Sequence, residues 1–180
     1  MKLYGHKLYV PAGVYGLSRQ LMLTNPGIPG ETRGTPLGKN GIYKRSSLVG
    51  DGAGSTVFRL FGYINAIHIQ TGLGRAHHRG FSILQDSPSN RLGSALIVDQ
   101  SQALHFSEIE VKGCFYGVDN IDSFSINYTS VDFTENRIGL RGRNVTSGSH
   151  PNAINFVSAR FMSNTKLGCV RERQATCNFF

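Results

Sequence analysis

The chain has 180 residues, a formal charge of +8 and a pI of about 9.7, with 39% hydrophobic and 17% charged residues. This length fits one domain, and the hydrophobic content excludes a disordered chain. No apolar run is long enough to cross a bilayer as a helix, and the first residues lack the apolar stretch of a secretory signal. The positive charge favours acidic partners; nucleic acid, which charge alone supports, is the least favoured of them.

The chain begins with short predicted strands, first at Lys7–Val10 and again at Ser47–Val49. Between them, residues 25–46 contain three prolines and several glycines, a composition typical of a loop that projects from its domain. We therefore predict a single domain over residues 1–180. It would consist of first strands in 1–24, a projecting loop in 25–46 and stacked rungs in 47–180.

Three segments in the second half of the chain repeat one pattern, beginning at Leu104, Ile126 and Ile154. In each, apolar residues alternate, shift phase by one at a bend and alternate again, which indicates a strand with a kink. A short strand with a glycine at its second position follows every time. Such a unit of 22 to 29 residues predicts one turn of a parallel β-helix, whose rungs lie about 4.8 Å apart.

Earlier segments match the same pattern, so we predict about six rungs. His78–Ile83 corresponds to the segment that ends at Val111, and Ala66–Ile69 resembles Ala95–Val98. In this alignment Leu104, Ile126 and Ile154 lie one above another in a common core. Two asparagines occupy equivalent turns, and we expect their side-chain amides to hydrogen-bond from rung to rung; they are Asn136 and Asn164.

The alignment also predicts a column of outward side chains on successive rungs. Its members are Ser82, Glu110, Asp132 and Arg160. Glu110 and Asp132 are the candidate catalytic pair, because two neighbouring carboxylates can serve as acid and ionised partner. Arg160 is a candidate substrate-binding residue that would hold an acidic sugar or keep Asp132 charged. A solvated face with an Asp132–Arg160 ion pair is the structural alternative.

A second candidate column follows the glycine steps. Asp99 and Asp119 come after Val98 and Val118, which we align, and Arg141 follows Leu140. These three residues are further candidates for substrate binding, although a surface ion pair explains the same pattern.

Cysteines and histidines predict no metal site. Three cysteines without a CxxC pair support neither a disulfide framework nor structural zinc. The early rungs contain several histidines without the spacing of metal ligands, namely His68, His77, His78 and His105.

Two phrases near the beginning of the chain carry a family resemblance. Leu8–Tyr15 (LYVPAGVY) and Leu48–Phe58 (LVGDGAGSTVF) are similar to the opening of the pectate-lyase-like superfamily. The chain resembles in particular the glycoside hydrolase family 28-related proteins, which include phage tailspikes and capsule depolymerases. This resemblance implies an all-β fold, a right-handed single-stranded parallel β-helix of the pectin-lyase type. The chain lacks the usual amphipathic cap and stops at Phe180 in mid-rung, so we expect truncation at both ends.

The resemblance implies binding and depolymerisation of a polysaccharide, and the positive charge indicates an acidic one. It also implies an extracellular or virion-associated location and a homotrimer. No cofactor is predicted for hydrolysis, whereas a lyase of this superfamily often uses Ca²⁺. The alternative function is that of a non-catalytic β-helical adhesin or tail-shaft protein.

Overall fold

The computed structural model describes residues 7–24, 47–70, 75–86, 93–145, 152–172 and 177–179. The loop predicted at 25–46 lies outside these ranges, and the division into three parts stays a prediction. The described residues form an all-β structure without helices. Accordingly, no membrane-spanning helix is found in this part of the chain.

The strands are short, and in chain order they have the following bounds: β1 Lys7–Val10, β2 Gly13–Leu17, β3 Leu21–Thr24, β4 Ser47–Gly50, β5 Thr56–Leu60, β6 Ile67–Gln70, β7 His77–Leu84, β8 Ser94–Asp99, β9 His105–Lys112, β10 Tyr116–Ile121, β11 Phe124–Thr134, β12 Ile138–Arg143, β13 Asn152–Val157, β14 Arg160–Met162, β15 Leu167–Glu172 and β16 Cys177–Phe179.

Within the described ranges these strands form two sheets in which all pairings are parallel. The first sheet has the order β1-β4-β7-β9-β11-β13-β16, and β2, β5 and β14 extend it. The second sheet has the order β15-β12-β10-β8-β6-β3. Consecutive strands of a sheet come from consecutive turns of the chain, an arrangement consistent with the predicted β-helix.

The predicted kink is a residue with left-handed backbone in the middle of each long strand of the first sheet. The φ angles are 71° at Gly80, 53° at Glu108 and 53° at Ser130. One such residue breaks the alternation of side chains, so the phase of the apolar positions shifts by one. At Gly80 an added Cβ would lie 2.7 Å from the Gly50 carbonyl oxygen, which explains glycine there.

The predicted register of the three repeats is confirmed. Ile126 pairs with Ile154, and the Asn127 N–H donates to the carbonyl oxygen of Leu104 over 2.9 Å. Leu104, Ile126 and Ile154 are completely buried in one core, as the alignment requires.

A stack of rings lies beside these aliphatic residues, one ring in each turn. Centroid distances are 5.0 Å from His78 to Phe106, 5.1 Å on to Tyr128, 5.3 Å to Phe156 and 4.8 Å to Phe179. His78 is fully buried, and its Nδ1 accepts a hydrogen bond from the Leu48 N–H over 3.2 Å. Burial, with a smaller effect of His77, lowers the pKa of His78 to about 3.

The amides of Asn136 and Asn164 make rung-to-rung hydrogen bonds, but to the backbone and not to each other. The Asn164 Oδ1 accepts from the Asn136 N–H over 3.0 Å, and the Asn136 Oδ1 accepts from the Cys114 N–H over 2.9 Å. A direct side-chain ladder occurs elsewhere. Asn178 Nδ2 donates to Asn155, which in turn donates to Asn127 over 2.9 Å.

Candidate functional site

The first predicted column is present on the outer face of the first sheet. Parallel pairing places Ser82 beside Glu110, Glu110 beside Asp132, and Asp132 beside Arg160. All four follow the kink of their strand or turn, so they point to the same side. Ser82 is buried, Glu110 and Asp132 are partly exposed, and Arg160 is exposed. The two carboxylates therefore lie on neighbouring strands at an accessible face.

Hydrogen bonds distinguish the two carboxylates. Asp132 is held by the guanidinium of Arg160, whose Nε donates to Oδ1 over 2.6 Å and whose second nitrogen donates to Oδ2. This contact, followed by the charge of Asp132 and then that of Glu110, raises the pKa of Arg160. Glu110 instead accepts a hydrogen bond from the neutral Ser82 hydroxyl over 3.1 Å. One carboxylate thus has a cationic partner and the other a neutral one.

The pairing places the two candidate carboxylates on neighbouring strands, and their role in catalysis stays a prediction.

The second predicted column is only half correct. Asp119 pairs with Arg141 as expected, but Asp99 pairs with Ile121, and Asp119 pairs with Ile97. The alignment of Val98 with Val118 is thus wrong by two residues. A shift of two keeps every side chain on its own face, so alternation alone cannot detect it.

The Asp119 pair is also not the surface ion pair that we expected, because the Asp119 side chain is only 3% exposed. Arg141 donates to its carboxylate through Nε over 3.0 Å, and Arg143 donates through Nε over 3.1 Å. Arg141 additionally lies 3.8 Å from the ring centroid of Tyr116. Arg143 was not predicted from the sequence, although its position two residues after Arg141 places it on the same face.

Asp99 contacts a different set of residues on the outer face of the second sheet. The His68 Nε2 lies 3.4 Å from its Oδ2, and the Gln70 amide donates to the same oxygen over 3.4 Å. Asp99 is buried. Asp99, Asp119 and Arg141 therefore do not form one column, and their role in substrate binding stays a prediction.

The histidines of the early rungs occupy three separate environments. His68 lies on the second sheet, His78 lies in the core, and the rings of His77 and His105 stack on the first sheet with centroids 4.4 Å apart. Burial, then the charges of His105 and Arg79, lower the pKa of His77. In the described ranges no group of three or more histidine, cysteine or acidic side chains is placed to hold a metal ion.

Comparison with known proteins identifies the fold. No family matches the chain, and no curated protein matches it by sequence. Among solved structures, ORF18 of Geobacillus virus E2 matches with a TM-score of 0.64 and 18% identity, over 97% of this chain and 33% of the viral one. A variant of the GH87 α-1,3-glucanase catalytic domain, in complex with nigerose, matches with a TM-score of 0.51 and 13% identity, over 86% of this chain and 26% of that one.

The chain thus spans about a third of the viral protein and about a quarter of the glucanase structure. At these identities the likeness concerns the fold and not the activity. The chain has the all-β fold of parallel sheets found in a phage protein and in a glucanase catalytic domain.

Proposed function

We propose that this chain is a segment of a carbohydrate-active, phage-type β-helix protein that binds an acidic polysaccharide and cleaves it. The carrying observation is the pair of Glu110 and Asp132 on neighbouring strands, partly exposed and with different hydrogen-bond partners. The pairing pattern supports a coil of about six rungs. We propose that this coil is right-handed and of the pectin-lyase type, related to the family 28 tailspikes.

In this proposal Glu110 donates a proton to the leaving sugar oxygen, and Asp132 acts as the charged partner. Arg160, which is exposed, holds Asp132 in place and meets an acidic group of the polymer. Arg141 binds the polymer on the second sheet, where Asp119 orients it from below. Hydrolysis by this pair needs no cofactor; if the reaction is an elimination, Ca²⁺ is the expected addition.

The dimensions and charge of the surface support a polymer as ligand. Strands stacked at about 4.8 Å repeat the same outer positions along the coil, which suits an extended chain. The overall charge of +8 favours uronates or other anionic sugars. We further propose a virion-associated or extracellular location, in line with the phage protein that shares the fold. A homotrimer is proposed from the resemblance to tailspikes alone.

Conservative substitution of the two carboxylates tests the proposal. Glu110→Gln and Asp132→Asn should each lower the rate of cleavage by about 10²- to 10⁴-fold, since they remove a proton donor or a charge from the site. Incubation with acidic polysaccharides, followed by assays for reducing ends and for unsaturated uronates, measures cleavage and separates hydrolysis from elimination. Glu135→Gln is the matched control, because Glu135 is an exposed carboxylate paired with Lys112. Cleavage that survives both substitutions would refute this site.

The alternative is a β-helical adhesin that binds the polysaccharide without cleaving it. One observation favours it, namely that both oxygens of Asp132 are already bonded to Arg160. Binding without any cleavage by the unmutated protein, extended to its full natural length, would support the adhesin. In that case Arg160→Gln should weaken binding, while Glu110→Gln should leave it nearly unchanged.

A further inference from the structure

The turn that follows β5 presents two aromatic side chains to solvent. Phe61 is 58% exposed and Tyr63 is 63% exposed, with Gly62 between them at a φ of 85°. Side chains of this size are normally buried when they serve stability, and two of them at one turn form a local apolar patch. We call Phe61–Tyr63 the aromatic turn.

The aromatic turn is held by hydrogen bonds to the turns of chain on both sides. The Phe61 N–H donates to the Leu17 carbonyl oxygen over 3.0 Å. The Gln85 side-chain amide donates to the Gly62 carbonyl oxygen over 3.3 Å. The position of the backbone between the two rings is therefore fixed before any ligand arrives, which lowers the entropy cost of binding.

The Phe61 ring itself is placed by a glycine on the neighbouring strand. A Cβ added to Gly16 would come within 2.6 Å of the Phe61 Cε2, so the ring occupies the space that any side chain at this position would fill. The contact fixes part of the ring and leaves more than half of the residue open. An immobilised and accessible ring is suited to stacking against a ligand.

The end of β5 that precedes the aromatic turn carries a charged pair. Arg59, two residues before Phe61, forms an ion pair with Asp86, with the Nε and Oδ2 atoms 3.1 Å apart, and both side chains are exposed. A pyranose ring has an apolar face of C–H groups and an edge of hydroxyl groups. A phenyl ring beside a guanidinium and a carboxylate matches both parts, since the ring stacks and the charged groups exchange hydrogen bonds.

The aromatic turn also lies at the end of the face that carries the carboxylate pair. Arg59 pairs with Leu84, and Leu84 pairs with Lys112, which is two residues beyond Glu110 on the same strand. Two strand spacings of about 4.8 Å and four residues along the strand at about 3.3 Å each therefore separate Phe61 from Glu110, a distance of about 16 Å. A polymer that crosses the strands obliquely can contact both.

We propose that the aromatic turn is a sugar-binding subsite, in which Phe61 and Tyr63 stack on pyranose rings of the polysaccharide. Arg59 and Asp86 hydrogen-bond to the hydroxyl groups of the bound sugar. This inference rests on the proposed function for the identity of the ligand. It does not require cleavage.

A single tryptophan introduced as a fluorescent reporter tests the subsite directly, because the chain contains no tryptophan of its own. Phe61→Trp keeps the stacking surface and adds a single reporter, whose emission should shift to shorter wavelength when polygalacturonate is added. Phe124→Trp is the matched control: Phe124 is 38% exposed and lies away from the aromatic turn, at the beginning of β11. Its emission should not change.

Loss of the rings should weaken binding. Phe61→Ala and Tyr63→Ala should each raise the Kd for polygalacturonate by about 2- to 10-fold, the range expected for one aromatic stacking contact, while Phe124→Ala leaves it unchanged. Unchanged affinity in both alanine variants, or an equal loss in the control, would overturn the subsite. Because both rings are exposed, their removal should leave the fold intact, and circular dichroism of each variant verifies this.

These experiments distinguish a failure of the subsite proposal from a failure of the carboxylate proposal. If Phe61→Ala weakens binding and Glu110→Gln still cleaves, the subsite stands and the carboxylate assignment is wrong. If Glu110→Gln abolishes cleavage and the ring variants bind normally, only the subsite is refuted. If the unmutated protein binds neither polygalacturonate nor neutral dextran, both proposals are refuted.

Discussion

Replacing His78 with phenylalanine should flatten the dependence of the unfolding free energy on pH in the acidic range. His78 is the fully buried ring stacked on Phe106, and burial lowers its pKa to about 3 in the folded protein. In the unfolded chain a histidine has a pKa of about 6.5. The unfolded state therefore takes up a proton that the native state does not.

The sign and size of the effect follow from this difference. Because the folded pKa is depressed, stability is lost as the pH falls from about 6.5 towards 3, with a slope approaching about 1.4 kcal/mol per pH unit. Between about pH 6.5 and pH 5 the loss due to His78 reaches about 2 kcal/mol. His78→Phe removes this loss. It also removes the acceptor of the Leu48 N–H, which costs about 1 to 3 kcal/mol at every pH, so the slope is the informative quantity.

Urea unfolding at a series of pH values, followed by circular dichroism, measures the slope for the unmutated protein and for His78→Phe. The control is His68→Gln, which removes a histidine from the outer face of the second sheet and should keep the full slope. Equal slopes for His78→Phe and the unmutated protein would show that the buried ring does not control acid stability.

Two further predictions concern polar groups that the fold buries. Asn136→Ala removes two hydrogen bonds between a fully buried amide and the backbone of the preceding turn. In urea titrations it should lower the unfolding free energy by about 2 to 4 kcal/mol. A smaller loss than that of Asn164→Ala, which changes a half-buried residue, would contradict this prediction. Asp119→Asn should lower the unfolding free energy by about 3 to 5 kcal/mol, because two arginines lose a buried carboxylate partner. Asp132→Asn should lower it much less, because Asp132 is more exposed. Similar losses in the two variants would show that burial does not set the cost.

The repeat alone was sufficient to predict the stacking, and the reason is the kink. The phase shift at Glu108 and Ser130 marks the same point of each turn, so the segments align in only one register. From that register the column of Glu110, Asp132 and Arg160 follows directly. Pairing confirms it in each case.

The second sheet has no such marker, and there the sequence was insufficient. Val98 and Leu96 both point inward, so either can be matched to Val118 without exposing an apolar residue. The burial of Asp119 was equally invisible, because it depends on Arg143 of the neighbouring strand β12 and on the contact of Arg141 with Tyr116. The aromatic turn was not predicted either, because exposed rings do not belong to the apolar alternation that marks the core.

Each strand of the two sheets pairs mainly with the strands one turn before and one turn after it. Adding or removing a complete turn therefore changes the height of the coil and leaves its cross-section intact. Gene duplication within such a chain lengthens the outer lattice of side chains in steps of about 4.8 Å. A protein of this kind can contact a longer polymer by adding turns, while the packing of its core stays the same.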